Sequence, residues 1–307
     1  MFSYIALLLA QAGTSFKQFA MKRCGKIAPG PFNSICINMM RALICLVISV
    51  IIWLATGGGV TTPTGHLIII ISGIGTAFNL FTWILSTRIV SLTLLESTCM
   101  IGTLVLPLIL APYLYNGESV SLLQWIGCIL VFVSVFLFAK KNGNDTTEGG
   151  IFKKAAVVFV CAASITLSSI LKKYYTYHIV GNGLGSIEYF TLINFVTVVV
   201  VFSILFAIYY IREKKSLSPV DKENAKVELP YKKVWIYVLI AASALYVNEL
   251  FTVYATKLPS AIYYPLSKGL VIGCTFLLDV IVFKEKVTIK KLIGLATVIC
   301  AIVLVNI

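Results

Sequence analysis

Charge is scarce in this chain of 307 residues: Asp, Glu, Lys and Arg together make up 12%. A soluble domain carries about twice that share, because its surface must be wetted. A soluble globule is therefore excluded, and a soluble catalytic domain with it. Histidines number two and acids 12. No paired catalytic carboxylates, no H-E-x-x-H and no serine–lysine dyad occur at a working spacing, so the chain is not expected to be an enzyme. The eight cysteines (Cys24, Cys36, Cys45, Cys99, Cys128, Cys161, Cys274, Cys300) form no C-x-x-C pair. Most lie in apolar runs, where a thiol behaves as a small hydrophobe, so no metal, cofactor or disulfide framework is expected. His66 and His178 fall near the ends of such runs, where an interfacial role is expected.

Apolar residues are what the chain has in excess, at 59%. They gather into runs of about 20 residues, the length that crosses a hydrocarbon core of about 30 Å. Ten such runs cover 2–21, 34–55, 66–86, 90–112, 121–139, 155–171, 186–210, 234–256, 260–282 and 289–307. The expected fold is an all-α integral membrane protein with ten transmembrane helices. The first run has neither a basic start nor a small-residue cleavage site, so it is expected to be a helix rather than a signal peptide.

The second half repeats the first. At an offset of 150 residues Lys22-Arg23 falls on Lys172-Lys173, and Asn38 on Glu188. At 169, Asn79 meets Asn248 and STRIVS meets ATKLPS, so Arg88 has Lys257 as its counterpart. At 167, Glu118, Ser121 and Gly127 land on Glu285, Thr288 and Gly294. Ser121 and Thr288 sit where helix N-caps belong, and the two glycines would let helices approach closely. Residues 1–141 form the first five-helix repeat, 142–154 a linker, and 155–307 the second repeat, which carries the polar loop 212–233. Five is odd, so the second copy enters from the opposite face, as two inverted five-helix repeats. Arg88 and Lys257 then mark tight corners on opposite faces, where long side chains snorkel to headgroups.

Nineteen Lys and Arg fall on the face without the termini, and only Lys172, Lys173 and Lys257 on the face with them. The positive-inside rule puts the basic loops in the cytoplasm and both termini outside the plasma (inner) membrane. The net charge of +13 is thus topological and headgroup-facing, which argues for membrane lipids and against nucleic acid as a partner.

Ionisable residues inside spans are costly and mark either pairs or pathways. Glu249 and Lys268 flank the hairpin at 258–259 and sit roughly 13 Å deep on neighbouring helices, where they can meet as an ion pair. Arg41 and Glu96 descend about 10 Å from the other face, with Lys17 shallower beside them. Asn79 and Asn248 lie between these two groups. Two readings stand: structural pairs that lock helices together, or the walls of a wet cavity touching a polar solute. One carboxylate, Glu96 first, is a candidate for a coupling proton. Glu188 is near a helix start, where it favours the dipole. Tyr246, Tyr254, Tyr263 and Tyr264 cluster on the 258–259 hairpin and suit an organic ligand. Pro107 and Pro265 are expected to kink helices four and nine.

Ten helices, an inverted repeat and the twice-used E-x-x-[ST]-x-x-x-x-x-G resemble the drug/metabolite transporter superfamily, EamA type. The motif positions are Glu118, Ser121 and Gly127, then Glu285, Thr288 and Gly294. The resemblance implies a cavity lined by helices one, three, four, six, eight and nine. Gln18, Asn79, Glu96, Ser168, Asn248, Glu249 and Lys268 would then face the solute, with Tyr264 beside them. One departure is that GGGVTTPTG and LYNGESVS hold no lysine or arginine, where many members carry basic loops. The expected function is secondary active transport of a small polar organic solute, an amino acid or related metabolite, by a monomer or homodimer. The alternatives are a carrier of nucleotide-activated or lipid-linked sugars, and a non-transporting membrane subunit.

Overall fold

The computed structural model describes residues 2–27, 31–89, 99, 101–115, 117–138, 151–216, 231–281 and 289–305. Ten α-helices fill them: α1 (Phe2–Ile27), α2 (Pro31–Ala55), α3 (Pro63–Ile89), α4 (Leu106–Leu114), α5 (Leu122–Phe138), α6 (Ile151–Tyr175), α7 (Ile187–Ser216), α8 (Tyr231–Ala255), α9 (Ser260–Ile281) and α10 (Ile289–Val305). The described residues form no strand. An apolar chain out of reach of water must satisfy its backbone within each segment, which an α-helix does. Among the described residues, five helical stretches are long and apolar enough to cross a membrane: Phe32–Ala55, Pro63–Trp83, Ala156–Val180, Ile187–Ile211 and Val234–Ala255.

Local chemistry sets the ends. α2 stops in a Schellman turn: Gly58 N–H reaches Trp53 O at 2.9 Å, Gly57 N–H reaches Leu54 O at 3.3 Å, and Gly57 has φ +94°. The expected cap at Ser121 is a capping box. Ser121 Oγ accepts from Gln124 N–H at 3.3 Å, while Gln124 Oε1 accepts from Ser121 N–H at 3.0 Å. Its counterpart Thr288 lies outside the described residues, as does Glu285. A π-helical turn, Ile101–Val105, runs directly into α4 with Pro107 at its start. Proline has no N–H and crowds the preceding turn, and a widened turn relieves both. A second π turn, Thr176–Val180, extends α6, with Gly181 N–H reaching back to Thr176 O at 3.0 Å. The sixth element therefore runs well past residue 171, the end expected from hydropathy.

The helices pack in a definite pattern. α1 lies along α8 and α3 along α6; α5 packs on α10 and α2 on α7; α3 also touches α7, and α2 touches α8. The α1–α8 seam is built from small residues. Ala6, Ala10 and Ala20 are fully buried on α1, as are Ala241 and Ala242 on α8. A β-carbon on Gly13 would stand 2.8 Å from Ala244 O. Without a hydrophobic force between helices in lipid, such close approach is what holds them. Apolar stripes face outward instead: Leu43, Val47, Ile51 and Leu54 on α2, and Val196, Val200, Ile204 and Ile208 on α7, all exposed. Water would not tolerate patches this long, whereas hydrocarbon does.

Gly13→Val is expected to force α1 off α8 and lower stability by about 1–3 kcal/mol, as overpacking does. Gly273 has nothing within 4 Å of its would-be β-carbon, so Gly273→Ala should leave the melting temperature unchanged or raised. Thermal unfolding of both variants in detergent measures the contrast.

Candidate functional site

The site begins at the C-terminal end of α6, where two consecutive lysines are buried. Lys172 is 6% exposed and Lys173 1%. Each has a carboxylate. Lys172 Nζ meets Glu249 Oε2 of α8 at 2.5 Å. Lys173 Nζ lies 3.3 Å from each oxygen of Glu118, in the turn between α4 and α5. It also donates to Leu258 O at 2.9 Å and sits 4.8 Å from the centre of the Tyr115 ring. Glu118 completes the knot by accepting from the Ser260 N–H at 2.8 Å, the first residue of α9. That is the positive end of the α9 dipole, well placed for a carboxylate. One lysine thus ties α6, the α4–α5 turn and the α8–α9 turn together.

Further polar contacts close the same face. His178 Nε2 donates to Leu114 O at 2.8 Å, and His66 Nε2 pairs with the Tyr189 hydroxyl at 2.7 Å. Tyr254 donates its hydroxyl proton to Glu188, and Thr256 reaches Thr176 at 2.9 Å between hydroxyls. Lys257 is exposed in its turn, 5.9 Å from the centre of the Tyr254 ring.

The structure adds three points to the sequence reading. Lys172 and Lys173 are not loop cations at the end of a short sixth span; they are buried in a longer helix, because a lysine with its own carboxylate need not reach water. Glu188 sits in the first turn of α7, as expected near a helix start, but it also accepts from Tyr254. The ion pair at Glu249 is with Lys172 of α6, a partner that counting along the 258–259 hairpin to Lys268 does not suggest.

The two asparagines occupy matching seams. Asn248 donates to Ala10 O at 3.0 Å and to Thr14 Oγ1 at 2.7 Å, joining α8 to α1. Asn79 donates to Cys161 Sγ at 3.8 Å, joining α3 to α6. Ser168 is buried in that second seam, 2.9 Å from Thr76 Oγ1 and 3.3 Å from Ser72 Oγ. Nearer the opposite face, Arg41 is 2% exposed, and its Nη2 donates to Asn38 Oδ1 at 2.7 Å. Asn38 in turn donates to Leu80 O at 3.4 Å.

Lys17 and Gln18 are half-buried on α1, and Lys268 is half-buried on α9. Tyr264 is buried edge-on to Tyr263, with ring centres 4.8 Å apart. Glu96, and with it the expected Arg41–Glu96 pair, lies outside the described residues. Lys172, Lys173, Thr14 and Thr176 are what sequence reasoning missed. The apolar, aromatic tail TYHIV after the lysines was the available sign that the helix continues.

No family model matches the chain, and no curated protein matches its sequence. A solved structure described only as "Crystal structure of protein" is similar over 98% of each chain, with a TM-score of 0.67 at 14% identity. Likeness at that identity concerns the fold alone.

Breaking either buried pair should strand a charge and cost about 3–5 kcal/mol. Lys172→Met and Glu249→Gln are each expected to lower the melting temperature, and the double variant to recover most of the loss. A double-mutant cycle by thermal unfolding measures the coupling, and additive losses would mean the two groups do not depend on each other.

Proposed function

We propose that the chain is a secondary transporter of a small polar organic solute, an amino acid or related metabolite. It would work by alternating access between two inverted five-helix repeats that span the inner membrane ten times. The observation that carries the reading is the exchange symmetry of the packing. Replace α1–α5 by α6–α10 and the pairings return to themselves: α1–α8 becomes α6–α3, α3–α7 becomes α8–α2, while α5–α10 and α2–α7 map onto themselves. Asn79 and Asn248 bridge the exchanged seams, at positions the 169-residue offset makes equivalent.

Buried polar groups support the same reading. Glu249, Lys172, Arg41, Ser168 and both asparagines lie inside a bundle whose outward stripes are apolar. Intramembrane ionisable groups of this kind mark substrate and ion pathways. With the termini outside, the face held by Lys173, Glu118 and Ser260 is the external one, so the conformation is closed outward. Opening it requires the Lys173–Glu118 knot to part while one bundle rocks against the other. Gln18, Lys268 and Tyr264 are assigned to the solute path, and Glu96 to the coupling proton. The likeness to the EamA-type drug/metabolite transporters belongs to this proposal.

Purified protein in proteoliposomes, given a radiolabelled amino-acid mixture under a proton gradient, tests it. Wild type should accumulate label and Glu249→Gln should lose at least roughly a hundred-fold in rate while remaining monodisperse, as expected when a charged contact worth about 3 kcal/mol is removed. Unchanged uptake by Glu249→Gln would contradict the role given to that carboxylate.

A further inference from the structure

Three cationic side chains are less than a tenth exposed among the described residues: Arg41, Lys172 and Lys173. Two of them have a carboxylate each, Glu249 and Glu118. Arg41 has none among the described residues. Its hydrogen bond is to a neutral amide, Asn38 at 2.7 Å, and its Nε has no partner there. Glu249 acts on it electrostatically, but the Glu249 oxygen is bonded to Lys172. Among the described residues, Cys45 and Cys24 are the other titratable groups beside it. Buried charges are ordinarily paired, and buried donors ordinarily filled.

The surroundings hold this guanidinium in place. Arg41 is the eleventh residue of the 25-residue α2, close to the middle of the helix. Asn38, one turn earlier, fixes its orientation by giving its oxygen to Arg41 and its amide to Leu80 O. A guanidinium is always charged and offers a planar fork that matches an oxyanion with two hydrogen bonds.

We infer that Arg41 is the anchor for an oxyanion of the transported solute, with a carboxylate as the group it takes and Asn38 as its positioning residue. This rests on the transport reading above. The solute therefore carries negative charge at one end.

Binding to the purified full-length protein tests the inference, read by thermal shift and calorimetry. The probes are an equimolar mixture of the protein amino acids, a mixture of their decarboxylated amines, and sodium phosphate. Amino acids should raise the wild-type melting temperature and the amines should not. A shift by phosphate alone would keep the oxyanion site but overturn the carboxylate assignment. Arg41→Met should melt no lower than wild type without ligand, since it removes a buried charge that has no carboxylate partner among the described residues, and should lose the ligand shift. Arg41→Lys keeps the charge without the fork and should bind at least ten-fold more weakly. An Arg41→Met protein that melts lower and keeps wild-type affinity would overturn the inference, as would amines binding as tightly as amino acids, or no shift by any oxyanion. If wild type binds but transports nothing, the transport reading fails and the site stands. If Arg41→Met carries a neutral or cationic solute at wild-type rate, the site fails and transport stands.

Discussion

Burying Lys172 and Lys173 is the constraint around which the half of the molecule at the C-terminal end of α6 is organised. An ammonium removed from water is tolerable only beside a carboxylate, and each lysine determines where one must be. Glu249 is drawn onto the inward side of α8 and Glu118 into the α4–α5 turn. Glu118 then also serves the first turn of α9. Remove the lysines and Glu249 loses its ion-pair partner, while Glu118 keeps only the Ser260 N–H.

The main helix pairings map onto one another when α1–α5 and α6–α10 are exchanged, but the chemistry at the two ends of the bundle does not. In the repeat alignment Lys172 falls on Lys22, whereas Glu249 falls on Leu80. The position aligned with Glu249 therefore offers no carboxylate for Lys22. In an alternating-access account the two closed states are then held by different forces. One is an ionic lock with several charge-assisted bonds; the other must rely on different contacts. Under the proposed transport cycle, such a difference would set the resting population of the two states and leave the solute to tip it.

The all-helical, apolar character and the N-cap at Ser121 were legible in the sequence because hydrophobic length and turn chemistry are local, resting on patterns a few residues wide. Partnership was less legible. Hydropathy read Lys172-Lys173 as the end of a span, because it weighs a lysine without regard to the acid it will meet. Glu249 was recognised as interior, but counting along one hairpin named Lys268, and Lys172 sits 77 residues away in sequence. A buried ion pair between distant helices leaves no periodic trace. The π turn after Tyr175 added to the error, since it lets α6 run on past the point where its polarity suggests a stop.

The most direct test of the account is a distance between the two sides of the ionic lock. Tyr113, at the end of α4, and Lys257, in the α8–α9 turn, are both exposed and accept spin labels without touching Lys173 or Glu118. Pulsed dipolar spectroscopy on the doubly labelled protein in lipid should give one short distance for the outward-closed state. A second, longer distance should appear when Lys173→Met breaks the lock. One unchanging distance in that variant, in a protein that still transports, would contradict the account.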